Sequence, residues 1–285
     1  MRRLVKFFAS FGTAALLFLS KIAFAQESGH EVHAEPWETG FQPAASPIAH
    51  QAHDFWHLLL ILCIGICVLV LVLLGIVILK FRAKANPTPS KVTHNTLIEV
   101  IWTIVPVIIL LVIFIPSMRL LYSADRVEDA DLTIKAIGNQ WYWEYEYPDQ
   151  GFSFLSNMVA DQDLKPGQPR LLTTDEQVVV PVGANVRLLT TSNDVIHSWA
   201  VPSFYVKMDA VPGRLNETWF RAEDVGTYYG QCSELCGIRH GFMPIEVKVV
   251  SRQEFNDWVR RMQQEYGALD GDQTVKLASA EIEAR

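Results

Sequence analysis

Residues 58–79 read LLLILCIGICVLVLVLLGIVIL, which is 22 consecutive residues without a charged side chain. A helix of that length rises about 33 Å at 1.5 Å per residue, which is enough to cross the hydrocarbon core of a bilayer. A second apolar run covers residues 97–115 and ends at Pro116. The two runs predict a two-helix transmembrane hairpin within residues 53–118.

The loop between the two runs, residues 80–96, indicates how the hairpin is oriented. It contains Lys80, Arg82, Lys84 and Lys91 and no acidic residue. Short loops rich in Lys and Arg remain on the cytoplasmic side of a membrane. We therefore predict that both outer ends of the hairpin, and everything after about Met118, lie outside the cytoplasm.

The N-terminus supports the same orientation. Residues 1–25 combine a basic start, an apolar run from Phe7 to Leu19 and an Ala-x-Ala ending, as a secretory signal peptide does. An N-terminal membrane anchor is the alternative, but the run is too short to span a bilayer and is interrupted by Lys21. Cleavage after Ala25 would leave residues 26–52 as a polar, extended N-terminal arm.

The overall composition excludes several classes of protein. The chain has 285 residues, of which 50% are hydrophobic and 19% charged, and its formal net charge is −7. Extended disorder requires low hydrophobicity, and nucleic-acid binding requires a basic surface, so neither is expected. Four cysteines are too few for a disulfide scaffold.

Residues 120–266 form the predicted external domain. Its strand-like runs lie at 132–137, 177–180, 186–190 and 245–250, with turns rich in Gly and Pro between them. This pattern predicts an all-β sandwich or barrel. Ser251, followed three residues later by Glu254, predicts a capped closing helix that runs to Tyr266. Residues 267–285 are predicted to be a tail.

The strongest chemical signal is the segment 232–243, CSELCGIRHGFM, together with His197 upstream. It places Cys232, Cys236, His240 and Met243 in the order C-x3-C-x3-H-x2-M. Thiolate, imidazole and thioether groups form a soft to borderline donor set, which suits copper better than magnesium or calcium. Glycines and Pro244 within and after the segment indicate a loop that wraps around a metal.

Several kinds of site compete for this donor set. One His, one Cys and one Met would describe a mononuclear blue-copper site, whereas two of each strong donor suit a pair of copper ions bridged by two thiolates. A Cys232–Cys236 disulfide is an alternative in an oxidising compartment, and a tetrahedral zinc site is another. The disulfide leaves His240 and Met243 without a role, and zinc does not call for Met243.

Two further features invite a functional interpretation. In GNQWYWEYEY, residues 138–147, the side chains of Trp141, Trp143, Tyr145 and Tyr147 would share one face of a strand, either as a core ladder or with one indole assisting electron transfer. Glu99 is a carboxylate within the second apolar run, where a buried charge is costly. It is either an end residue that reaches the interface or a group that faces a partner protein or a proton path.

Five motifs in one order resemble subunit II of bacterial aa3-type cytochrome c oxidases, a haem-copper oxidase family. They are EVIWTIVP at 99–106, QWYW at 140–143, HSWAVP at 197–202, KMDAVPGR at 207–214, and YYGQC at 228–232 continued to Pro244. The resemblance covers about residues 50–262. It implies an all-β, Greek-key, cupredoxin-like sandwich outside the cytoplasm, carrying the binuclear copper centre called CuA.

The resemblance also implies roles for individual residues. Cys232 and Cys236 would bridge the two coppers, His197 and Met243 would complete one copper, and His240 and the carbonyl of Glu234 the other. The Glu234 side chain would help bind Mg at the interface with subunit I. Trp141 would receive electrons, Glu99 would mark a proton-channel entrance, and Asp175 and Asp194 would belong to the face that docks cytochrome c. Asn139 departs from the histidine of many relatives.

The expected function is that of the subunit at which electrons enter a proton-pumping terminal oxidase. Reduced cytochrome c would be the donor, and electrons would pass to the haems, which belong to subunit I, where oxygen becomes water. Residues 120–270 hold 22 acidic and 13 basic side chains, so this domain would attract a basic carrier. Subunit III and membrane lipid are further expected partners, and nucleic acid is not one.

One other function remains open at this point: a membrane-tethered copper carrier or storage protein, which would need exchangeable ligands and would not need Glu99, Trp141 or a two-span anchor. A quinol-oxidase relative shares the anchor and the sandwich but lacks the copper ligands, whereas all six ligand positions are filled here. The expected location is the bacterial inner membrane, as a multi-pass protein with both mature termini and the copper domain in the periplasm.

Overall fold

The computed structural model describes residues 31–125 and 129–267. The predicted signal peptide, residues 1–25, lies outside these described residues, as do residues 268–285 of the predicted tail.

Two long helices form the N-terminal part of the chain. Helix α1 spans Pro47–Lys80 and helix α2 spans Thr96–Asp125. Both are long and apolar enough to cross a membrane. The apolar side chains of both spans are exposed in the isolated chain, as expected for surfaces that lipid or partner helices cover. The predicted hairpin is therefore confirmed.

The helices extend beyond the apolar runs at their outer ends. Helix α1 begins eleven residues before Leu58, because Ser46 caps it by accepting a hydrogen bond from the Ala49 amide at 3.1 Å and Pro47 occupies the first turn. Residues 47–52, predicted to belong to an extended arm, are thus helical. Helix α2 continues through Pro116 to Asp125, since a membrane helix tolerates the loss of the single backbone hydrogen bond that a proline removes.

The external part of the chain is a β-sandwich closed by one helix. Its strands are β1 Glu31–Val32, β2 Leu132–Asn139, β3 Tyr142–Tyr147, β4 Phe152–Ser156, β5 Val178–Pro181, β6 Val186–Ser192, β7 His197–Val201, β8 Val206–Ala210, β9 Asn216–Phe220, β10 Gly226–Gln231 and β11 Pro244–Val250. Helix α3 spans Arg252–Tyr266. The all-β sandwich predicted after the hairpin is confirmed.

The strands form two main sheets and a hairpin. One sheet has the order β1-β10-β11-β5 and the other the order β4-β3-β2-β6-β9, while β7 and β8 pair with each other. Strands β2 and β6 are parallel, as are β11 and β5, so strands distant in sequence lie side by side. Strand β7 also contacts β10 and β11, and predicted metal donors lie on or directly beside these three strands.

Aromatic side chains fill the core between the sheets. Trp143, Tyr145 and Tyr147 alternate along β3 and are fully buried, as the period-two pattern predicts. Trp199 of β7 donates its indole N–H to the Tyr145 hydroxyl at 3.1 Å, which satisfies both polar groups inside the core. Trp141 precedes β3 and is only partly buried, so it does not belong to this ladder.

The closing helix α3 has the predicted capping box. Ser251 accepts a hydrogen bond from the Glu254 amide, and the Glu254 carboxylate accepts one from the Ser251 amide. Phe255, Trp258 and Met262 are buried beneath the helix. The Trp258 ring lies edge-on to the Tyr147 ring at 5.1 Å between centroids, so α3 covers the end of the aromatic core.

The N-terminal arm and the hairpin are both hydrogen-bonded to the sandwich. Strand β1 pairs with β10 and adds a fourth strand to one sheet. The Ser46 hydroxyl donates to the Phe204 carbonyl at 2.8 Å. From the other helix, the Ser123 carbonyl accepts the Trp219 indole N–H at 3.0 Å. These contacts place the sandwich directly on the outer ends of the two helices.

Candidate metal centre

The donor residues come from separate elements that converge at one end of the sandwich. His197 is the first residue of β7, Cys232 directly follows β10, and Met243 directly precedes β11. Cys236 and His240 lie in the loop that connects β10 to β11. The structure therefore brings together all the donors that the sequence singles out, although His197 is 35 residues away from Cys232 in the chain.

The two thiols lie at the centre of this group. Cys232 and Cys236 are free, with sulfur atoms 3.9 Å apart. The other donors surround them: His197 Nδ1 is 3.8 Å and the Glu234 carbonyl oxygen 3.4 Å from Cys232 Sγ, while His240 Nδ1 and Met243 Sδ are each 3.6 Å from Cys236 Sγ. Both imidazoles thus direct Nδ1 towards the thiols.

The centre is largely shielded from water. The exposed fraction of the residue surface is 0% for His197, 1% for Met243, 3% for Cys236 and 6% for Cys232. His240 is partly buried, and Glu234 is exposed. One side of the centre therefore faces the protein core, and the loop side faces the surface.

The thiols do not ionise equally. Burial opposes ionisation of Cys232, but hydrogen bonds with His197, His240 and the neighbouring backbone together outweigh burial and lower the pKa of this thiol to about 7. Burial and the neighbouring Cys232 raise the pKa of Cys236 to about 12. A bound cation would favour the thiolate form of both sulfurs.

Two glycines allow the close approach that the centre requires. A Cβ atom on Gly138 of β2 would lie 2.6 Å from His197 Cδ2, so only glycine leaves room for the imidazole. A Cβ atom on Gly230 of β10 would lie 1.9 Å from the Ala200 carbonyl oxygen of β7. The strand that leads to Cys232 and the strand that begins at His197 are therefore in direct backbone contact.

Trp141 and Gln140 contact the ligand loop. The Trp141 indole N–H donates to the Cys236 carbonyl at 3.2 Å, and the Gln140 side-chain amide donates to the same oxygen at 2.8 Å. Trp141 is partly buried and therefore lies between the surface and the thiols.

The two acids predicted to dock a partner hold local structure. The Asp194 carboxylate lies 2.9 Å from His197 Nε2 and accepts the Gln140 amide at 2.6 Å. Asp175 accepts hydrogen bonds from the Asn157 amide at 2.7 Å and from its own neighbour, the Glu176 amide, at 2.8 Å. Asp194 is thus part of the metal centre, whereas Asp175 stabilises a turn before β5.

Glu99 is not near the metal centre. It lies in the first turn of α2, at the end of the helix that is remote from the sandwich. Its carboxylate accepts the Asn95 amide at 3.3 Å, while the Asn95 side chain accepts the Ile98 amide at 3.2 Å. Glu99 therefore contributes to capping its own helix, a role that the sequence pattern did not suggest.

The residues present fit copper. Two thiols at van der Waals separation, two Nδ1 atoms and one thioether sulfur converge in a buried space, and this soft to borderline donor set is the one copper prefers. His197, Cys232 and Cys236 alone place three ligand atoms within 4.8 Å of one another.

Comparison with known protein families identifies the chain. Residues 34–120 match the model described as "Cytochrome C oxidase subunit II, transmembrane domain", and residues 132–250 match the model for the periplasmic domain of the same subunit. The chain belongs to the cytochrome c oxidase subunit II family. It is therefore a member of a terminal oxidase complex with partner subunits, a membrane protein with a periplasmic cupredoxin-like domain, in a family that binds copper.

Two relatives matched by sequence, from a bacterium and a plant, support this membership. A probable cytochrome c oxidase subunit 2 of Rickettsia bellii is 52% identical over 245 residues, which cover 86% of this chain and 89% of the relative. Cytochrome c oxidase subunit 2 of Arabidopsis thaliana is 51% identical over 233 residues, covering 79% and 90%. The crystal structure of the periplasmic domain of subunit II from Bradyrhizobium japonicum is 55% identical, with a TM-score of 0.47, and covers 50% of this chain and 100% of that one.

Sequence reasoning missed several residues that shape the centre of this subunit II. Gln140 and Gly138 belong to it, and Asp194 contacts a predicted ligand directly. The D-x-x-H spacing of Asp194 and His197 is a signal that could have suggested this contact, because a carboxylate three residues before a histidine reaches its ring across a tight turn. The close contact of Gly230 with the Ala200 carbonyl has no comparable signal in the local sequence.

Proposed function

We propose that this chain is the subunit at which electrons from reduced cytochrome c enter a proton-pumping terminal oxidase, on their way to the haems and the oxygen-reducing site of subunit I. The convergence of two buried thiols with two imidazoles, a thioether and a backbone carbonyl carries this proposal. A copper pair held by these residues would supply one-electron transfer with little change in geometry.

The residues of the chain divide the task of holding such a pair. Cys232 and Cys236 would bridge it, His197 and Met243 would complete one copper, and His240 with the Glu234 carbonyl the other. Because the donors already lie together and most are buried, the protein would restrict movement of the ligands and exclude water. This preformed site argues against a copper carrier, which must release its metal readily.

The copper content of the full-length chain tests this proposal. We expect the chain, purified in detergent and reconstituted with copper, to bind two coppers and to give a mixed-valence electron paramagnetic resonance (EPR) spectrum. A single copper with a blue-copper spectrum, or preferential binding of zinc from a mixture of the two metals, would contradict it.

The surroundings of the centre suggest where the partners bind. The exposed Glu234 side chain and the partly buried His240 lie on the loop side, which we propose faces subunit I and, through Glu234, a Mg ion. The acidic balance of the periplasmic domain favours a basic donor such as cytochrome c, mainly through a faster association rate at low salt. The proposal further includes contact with subunit III and a location in the bacterial inner membrane. It also includes a proton-channel role for Glu99 and docking roles for Asp175 and Asp194.

Trp141 is the proposed route into the centre, because its indole N–H is hydrogen-bonded to the carbonyl of Cys236. We expect Trp141→Phe to slow oxidation of cytochrome c on the order of tenfold or more, a barrier change of about 1.4 kcal/mol per tenfold, while copper content stays at two. Stopped-flow kinetics of the assembled oxidase would measure this. Trp37→Phe, at an indole that is 98% exposed in the arm, is the matched control. An unchanged rate in Trp141→Phe would remove Trp141 from the route.

A further inference from the structure

Asp194 has contacts that a surface acid does not need. It lies in the turn between β6 and β7, three residues before His197, and one carboxylate oxygen is 2.9 Å from His197 Nε2. The same oxygen accepts the Val195 amide at 2.6 Å. The other oxygen accepts the Gln140 amide at 2.6 Å, from the segment between β2 and β3. The carboxylate is therefore held by two separate parts of the chain.

This arrangement determines which imidazole nitrogen faces the thiols. A carboxylate that accepts the Nε2 proton orients the ring and leaves Nδ1 as the nitrogen available for a metal. Nδ1 is the atom that lies 3.8 Å from Cys232 Sγ. Gly138 provides the space in which the ring sits, because any larger residue there would push it away from this position. Asp194 and Gly138 thus hold His197 from two directions.

The second imidazole is held differently. His240 also directs Nδ1 at a thiol, at 3.6 Å from Cys236 Sγ. Among residues 31–125 and 129–267, however, none accepts a hydrogen bond from its Nε2. The two halves of the centre therefore differ in this chain: one imidazole is fixed by an internal carboxylate, and the other is only partly buried and lacks such a partner.

We propose that Asp194 is a positioning residue for the metal centre: it fixes the ring and tautomer of His197, and it ties that ligand to the backbone beside Trp141. The proposal rests on the proposed function only in taking copper as the metal. It assigns to Asp194 an effect on the electron distribution between the two halves of the centre and on metal retention. A role in docking alone would affect only the encounter with a partner.

Replacement of Asp194 in the full-length, copper-loaded chain tests this assignment. Asp194→Ala removes the acceptor, and we expect a changed copper hyperfine pattern in the EPR spectrum and release of copper to a chelator about 10- to 100-fold faster. Asp194→Asn keeps an oxygen at the same place, so we expect it to restore part of both properties. Asp175→Ala is the matched control, because that carboxylate holds a turn without touching a ligand, and its spectrum and release rate should equal those of the unaltered chain.

Each outcome of this experiment has one interpretation. If Asp194→Ala retains the original spectrum and release rate, and only its salt-dependent reaction with cytochrome c slows, Asp194 acts in docking alone and the positioning role is wrong. If Asp194→Ala fails to fold, Asp194→Leu decides, because its side chain is close in size and accepts no hydrogen bond: a spectrum and release rate identical to those of the unaltered chain overturn the proposal. Failure of the proposed function is distinguished by the unaltered chain, which would then bind one copper or zinc.

Discussion

Replacing Cys236 by serine is expected to abolish the binuclear centre. Cys236 Sγ has three other donor atoms around it, with Cys232 Sγ at 3.9 Å and both His240 Nδ1 and Met243 Sδ at 3.6 Å. A serine hydroxyl is a hard, weakly acidic group that neither bridges two coppers nor replaces a thiolate. The remaining donors cannot hold a pair of metal ions in this space.

We expect Cys236→Ser to bind at most one copper per chain, to lose the mixed-valence spectrum, and to slow reduction by cytochrome c on the order of a thousandfold or more, which is about 4 kcal/mol in the barrier. Copper analysis, EPR spectroscopy and stopped-flow kinetics measure the three effects. Cys67→Ser, at a free thiol in α1, is the control and should bind two coppers. Two coppers in Cys236→Ser would show that Cys236 does not bridge.

The largest structural effect is expected from Gly230→Ala. The new methyl group would lie 1.9 Å from the Ala200 carbonyl oxygen, far inside van der Waals contact. A backbone oxygen inside a strand cannot rotate away as a side chain does, so β7 and β10 must separate. Because β7 begins at His197 and β10 leads to Cys232, the substitution would disturb both the sandwich and the spacing of the donors.

We expect Gly230→Ala to cost about 3 kcal/mol or more in the free energy of unfolding. This corresponds to a decrease of about 6–12 °C in the midpoint of thermal unfolding for a domain of this size. Circular dichroism of the metal-free chain in detergent would measure it, and copper binding should weaken in parallel. Gly241→Ala is the matched control, because no atom lies within 4 Å of a Cβ at that position. Equal midpoints for the two variants would show that β7 and β10 tolerate the methyl group.

The structural role of Asp194 links these predictions to one another. Gly138 and Asp194 hold the His197 ring, Gly230 sets the distance between its strand and that of Cys232, and Trp141 reaches the Cys236 carbonyl. A centre built in this way depends on backbone contacts as much as on its donor atoms. The ligand loop alone, without β7 and the segment before β3, would supply only part of the site.

The local order of residues determined much of this protein. Twenty-two uncharged residues at 58–79 predict a membrane-spanning helix, and period-two runs such as 132–137 indicate strands with one buried face. The spacing of the donors between 232 and 243 indicates copper, because the chemistry of thiolate, imidazole and thioether belongs to the residues themselves. Each of these features is determined by residues that are close together in the sequence, so a short sequence pattern is enough to predict it.

Only the tertiary structure decided which distant parts of the chain meet. The hydrogen bond between Asp194 and the Gln140 amide joins residues 54 positions apart, and that from Trp141 to Cys236 spans 95. The pairing of the arm with β10 and the contact of Gly230 with Ala200 depend likewise on how two sheets pack. Such contacts depend on the order of the strands and on the distance between their backbones. The same alternation of apolar and polar residues is compatible with many strand orders, so no local pattern predicts these contacts.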